Sequence, residues 1–182
     1  MASAARGPAA REEAADRIRS LRAGRRVALS SVFEADFGQR TPQAVLERHL
    51  ATTEADPAAA DLARRVVAGV VANRDVIDAR IERAAPQFPV VQLARMDRAL
   101  LRCALGEVLY SATPARVAIA EWVELARTYS GDPMRRLMNG VLGTISRETA
   151  GVPESTPSSE EGVSGHDLRQ AQEDRRRAAR RR

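Results

Sequence analysis

Apolar residues recur along most of the chain at steps of three and four, the spacing that gathers them on one face of an α-helix. Between about Glu12 and Asp36 the stripe consists of Ile18, Leu21, Ala28, Leu29, Val32 and Phe33. Gly24 interrupts it, and the entropic cost of glycine inside a helix predicts fraying of the first turns. Thr41 and Pro42 read as an N-cap followed by proline at the first helical position, opening a helix through Val45, Leu46 and Leu50. Asp56 and Pro57 repeat the device. The helix they open carries Leu62, Val66, Val70, Ile77 and Ile81 on one face, and should stop before Pro86 and Pro89. Residues 90–110, with Val90, Leu93, Met96, Leu100, Leu101, Leu105, Val108 and Leu109, leave little room for a polar face and predict a central helix. After Thr113 and Pro114 a further stripe holds Ile119, Trp122, Val123 and Ala126. After Asp132 and Pro133 the last one holds Leu137, Met138, Val141, Leu142 and Ile145. The pattern predicts about six or seven helices.

Composition supports an all-α fold. Ala, Leu, Val and Arg dominate and aromatic residues make up 3%, which suits helices and deprives β-sheets of the residues they favour. A chain of 182 residues holds one ordinary domain plus tails. The expected division is a disordered extension over residues 1–10, a helical domain over 11–150 and a tail over 151–182. After Met1 the first stretch is Ala, Gly, Ser and Pro with one Arg, too poor in apolar surface to offset the entropy of ordering. The tail is rich in Pro, Ser, Glu and Gly and ends in a run, Arg175 to Arg182, containing six arginines.

Chemistry narrows the choice further. No nucleophile beside a base, paired catalytic carboxylates, glycine-rich phosphate loop or metal-ligand spacing is visible, so neither catalysis nor a cofactor is expected. Cys103 stands alone, and His49 and His166 are the only histidines, too few soft ligands for a zinc site. The absence of an 18-residue apolar run and of a signal-like start predicts a cytoplasmic protein without membrane association. All 29 basic residues are arginine, and the net charge is +5. Such a balance permits nucleic acid as a partner, but position has to decide.

Position points to the first long helix, where Arg17, Arg19, Arg22, Arg25 and Arg26 cluster. Arg22, Arg25 and Arg26 fall at three- and four-residue steps and should share a face. Their charge, added to the positive end of the helix, suits a phosphate backbone. A solvated charged face is the other reading of the same spacing.

Five segments add to this: "RAGRRVALSSVFEAD", "RRVVAGVVANRDVIDARI", "MDRALLRCALGEVLY", "VAIAEWVELARTYS" and "MNGVLGTISRE". Their order and spacing over roughly residues 17–148 resemble the NusB family of bacterial transcription antitermination factors. That resemblance implies two packed helical subdomains binding the boxA element of nascent ribosomal RNA. The implied partners are single-stranded boxA-type RNA, the ribosomal protein NusE, and RNA polymerase in the antitermination complex. A homodimer covering the RNA face is physically reasonable, since an apolar partner surface invites self-association.

By position the resemblance implies RNA contacts from Arg22 and Arg25; Arg19 and Arg26 join them as RNA-contact candidates of the same basic cluster, with Arg26 standing where the family often has an acidic residue. Phe33 takes the place of a family Tyr near the RNA and reads either as a stacking platform or as core. Leu137 takes the place of a stacking Phe, reducing that contact to apolar packing. Asp97 matches an acidic position facing NusE, and reads equally as a helix N-cap. Glu121 and Glu124 read as surface charges beside a partly buried Trp122. Asn139 and Gly140 are assigned to packing, with the glycine admitting a neighbouring helix. Ala120 and Gly106 depart from the family pattern, so packing there should differ. Two other classes remain: a helical DNA-binding regulator, for which no convincing helix-turn-helix is visible, and a protein adaptor with RNA secondary.

Overall fold

The computed structural model describes residues Gly7–Thr149, and the predicted tail lies outside them. Among the described residues there are seven α-helices, one 3-10 turn and no strand. The helices are α1 (Pro8–Ala35), α2 (Pro42–Thr53), α3 (Pro57–Ala72), α4 (Arg74–Ala84), α5 (Arg95–Tyr110), α6 (Ala115–Ser130) and α7 (Asp132–Thr149), with the 3-10 turn at Val90–Gln92. Contacts divide the chain into two compact units, one ending at Val67 and the other beginning at Ala68.

In the first unit α1 packs on α2, and it begins at Pro8, inside the stretch expected to be disordered, and runs without a break. Gly24 is therefore not a weak point. Its position is buried, and a Cβ there would collide with the backbone of Ala59 at the start of α3. The missing side chain is what lets those two segments touch. The two proline-led starts form as their sequences predict. Thr41 Oγ1 accepts from the Ala44 amide at 3.2 Å, and Asp56 Oδ1 accepts from the Ala58 amide at 2.7 Å while also taking the Ser20 hydroxyl at 2.9 Å. Glu47 on α2 receives Arg64 of α3 through two 2.9 Å bonds.

The second unit is built around α5, in which every residue from Ala99 to Glu107 is buried. The single helix expected from Pro57 to Ile81 is broken at Asn73, where φ −129° leaves the helical region. Asn73 turns its amide Nδ2 back to the Gly69 carbonyl at 2.9 Å, the local competition for backbone groups that makes Asn a poor helix-interior residue. Gly69 also lies against Gly106, whose carbonyl oxygen would stand 2.9 Å from a Cβ at position 69. Glycine at 106 thus belongs to a close backbone approach between α3 and α5.

Polar side chains pair inside this unit. Arg102 donates to both carboxylate oxygens of Asp78 on α4 at 2.8 and 2.7 Å. Trp122, fully buried rather than partly so, donates Nε1–H to Glu107 at 2.7 Å. Asp97 accepts the hydroxyl of Ser130 at the end of α6. Ala94, not Asp97, occupies the N-cap of α5, and Asp97 lies in the first turn, where its charge suits the positive helix end. Glu124 pairs with Arg127 on the surface. The packing role expected of Gly140 is absent: it is exposed, with nothing within 4 Å of where its Cβ would stand.

Candidate nucleic-acid interface

Helical geometry sorts the arginine cluster. At 100° per residue, positions 19, 22, 26 and 33 fall within a stripe about 60° wide on α1, whereas position 25 is turned away to one side. Exposure follows the geometry. Arg19, Arg22, Arg26 and Ser30 are exposed and Phe33 is half-buried, while Arg25 is 2% exposed beside the core residues Ala28, Leu29 and Val32. The shared face expected of Arg22, Arg25 and Arg26 is therefore a face of Arg19, Arg22 and Arg26.

At the start of that stripe the charge is lightly held. Arg19 pairs with Asp16 one turn earlier, and both side chains are well exposed, so the pair adds little to stability and can exchange for another anion. At its far end Glu34 accepts two bonds from Arg48 Nη2, at 2.5 and 2.6 Å, and lies 3.1 Å from His49 Nε2. The Arg48 hydrogen bonds, with the neighbouring His49, hold the Glu34 carboxyl below its usual range.

Phe33, at the end of the stripe, pairs with Phe37 just past the end of α1. The rings of Phe33 and Phe37 meet edge to face with centroids 5.4 Å apart. Phe37, which the sequence reading passed over, is 53% exposed and the more open of the two. Its signal in the sequence was the i, i+4 spacing from Phe33 just past the predicted helix end.

The remaining two candidates belong to the second unit. Asp97 is 3% exposed and Leu137 is 7% exposed, so neither offers much surface in the chain by itself. Burial pushes the Cys103 thiol well above its ordinary range, as expected of an inert core cysteine. Among the described residues no group of three or more potential ligands is placed to hold a metal ion, and no helix is long and apolar enough to cross a membrane.

The model of the NusB family matches residues 22–147. A curated relative, the transcription antitermination protein NusB of Heliobacterium modesticaldum, is 37% identical over 145 residues, covering 79% of this chain and 70% of its own. The chain belongs to the NusB family. Among solved structures, T. maritima NusB superposes with a TM-score of 0.65 at 29% identity, covering 70% of this chain and 91% of its own. A crystal structure of the antitermination factors NusB and NusE in complex with double-stranded RNA superposes at 0.62. At 22% identity, with 71% of this chain and 98% of that one covered, it shows the shared fold. The resemblance carried by the five sequence segments is thus a family relationship, and α1 of a NusB-family protein presents three exposed arginines in one line.

Proposed function

We propose that this chain is a non-catalytic, cytoplasmic transcription antitermination factor that binds the boxA element of nascent ribosomal RNA together with NusE. In this reading it joins the antitermination complex on RNA polymerase. The observation that carries it is the line of Arg19, Arg22 and Arg26 beside Phe33 on α1, in a family whose named members are antitermination proteins. Three guanidiniums along one helix face track a phosphate backbone, and an aromatic ring beside them suits an unstacked base. That a NusB in this fold has been seen with NusE and RNA supports the same assignment.

Arg25, Leu137 and Asp97 act differently in this proposal. Arg25 supports the RNA face from the core of the first unit, and Leu137 packs within the second. Asp97 fixes the first turn of α5 through Ser130 and so shapes the surface offered to NusE. A homodimer would occupy the same face in the free protein.

The test is binding of boxA RNA and a scrambled single strand over a range of salt concentrations, with and without NusE. Preference for boxA, strengthened by NusE, is the expected result. Three arginine–phosphate contacts predict a log–log salt slope of about 2, at about 0.7 per phosphate on a single strand. Equal binding of both RNAs that disappears with salt would refute the antitermination reading.

A further inference from the structure

At the end of the arginine stripe the chain turns sharply. Gly38 takes φ +81° and leads through Gln39 and Arg40 to the Thr41 cap of α2. Beneath this turn Glu34, Phe37, Gln39, Arg40 and Val45 line an open cleft of about 240 Å³. We propose that this cleft takes one unpaired base of the bound RNA, stacked on Phe37, with Arg40 holding an adjacent phosphate. The proposal rests on the RNA reading above and extends its footprint past Phe33.

Four observations converge on it. A single half-exposed Phe is ordinary on a protein surface, but Phe37 follows α1 directly and its ring meets that of Phe33, the last member of the arginine stripe. Its ring is braced edge-to-face by Phe33, which limits the freedom it would otherwise lose on stacking. Arg40 is exposed and, among the described residues, pairs with no carboxylate. Finally, the one acid in the cleft, Glu34, has its charge countered by Arg48, so the wall does not repel a phosphate. Gln39 offers both a donor and an acceptor to a base edge, which lets the cleft hold a base without fixing its identity.

A duplex presents no unpaired base, so the cleft should matter for single strands alone. In the full-length protein, Phe37→Ala is expected to weaken binding of single-stranded boxA RNA by roughly 5- to 150-fold, the range that loss of one base–aromatic stack produces. Binding of the same sequence as a duplex should not change. Phe37→Trp should restore single-strand affinity and report directly. The native Trp122 is buried in the other unit, so quenching of a new exposed indole on RNA addition shows a base against it. Retained single-strand affinity in Phe37→Ala, or an unquenched Phe37→Trp, overturns the proposal while leaving the RNA reading intact if Arg22→Ala and Arg26→Ala still lose binding. Equal losses for single strand and duplex would also overturn it, as would loss of NusE binding with RNA affinity unchanged. Failure of the wild-type protein to bind any RNA overturns both readings.

Discussion

Replacing the clustered arginines one at a time should separate structure from recognition. Arg25 is 2% exposed and makes polar interactions from within the core of the first unit. Its truncation to Ala removes two buried methylenes beyond Cβ, about 1.6 kcal/mol at about 0.8 per methylene. It also leaves behind polar groups whose lost hydrogen bonds cost about 1–3 kcal/mol. We expect Arg25→Ala to lose about 3–4 kcal/mol, a large share of the stability of a small helical unit. Arg22→Ala and Arg26→Ala remove exposed side chains and should stay within about 0.5 kcal/mol of the wild type. Their effect should fall on RNA, each lowering the salt slope by about 0.7 whatever the sequence. Urea unfolding followed by circular dichroism gives the first quantity, and RNA titration by fluorescence anisotropy at several salt concentrations gives the second. The reasoning is refuted if Arg25→Ala unfolds like the wild type and reduces the salt slope as much as its neighbours do, for then Arg25 reaches phosphate and its burial is not structural.

Three further outcomes are expected. Asp78→Ala leaves the Arg102 guanidinium, whose side chain is 7% exposed, without its carboxylate. Breaking a buried pair from one side costs about 3–5 kcal/mol, which equilibrium unfolding would register. The carboxyls of Glu34, held by Arg48, and of Asp56, held by the Ser20 hydroxyl and the Ala58 amide, are both lowered. Lowered carboxyls add stability that is present above the unfolded value of about 4 and is lost as pH falls through the folded values. Melting temperature should therefore drop on acidification below that point, and less steeply in Glu34→Gln and Asp56→Asn; equal slopes in all three proteins would count against it. Gly140→Ala, in an open helical position, should raise stability by up to about 1 kcal/mol. If it also weakens RNA or NusE binding, Gly140 serves a partner and not the fold.

Most of the fold was legible because its signals are local. Thr41–Pro42 and Asp56–Pro57 carry their own capping chemistry, and the apolar stripes from Met96 onward have a single helical solution, although the helix expected from residue 90 starts only at Arg95, after a 3-10 turn over Val90–Gln92 and an extended Leu93. What was misread depended on distant neighbours. Gly24 reads as a helix weakness until Ala59 is seen against it, and Gly140 reads as a packing device until nothing is found beside it. Asn73 gave a signal that a long apolar stripe overrode. At the candidate interface, the cluster of arginines was visible from spacing, but not the inward turn of Arg25. Three- and four-residue steps admit both neighbours of a stripe, and only the packed core decides which side is covered. Phe37 was missed because it follows the helix end, where a periodicity argument stops.

The polar pairs along α5 have a collective effect. Asp97, Arg102 and Glu107 stand five residues apart, so successive side chains point about 140° apart and together cover the whole circumference of the helix. Each is held by another helix: Ser130, Asp78 and Trp122 in turn. A slide by one turn or a rotation about the axis would keep most of the apolar contacts but strand three buried polar groups at once. The leucines and alanines around α5 can therefore drift among similar volumes, whereas these three pairs can change only two partners at a time. They act as a register lock, defining which of several oily arrangements is the native one.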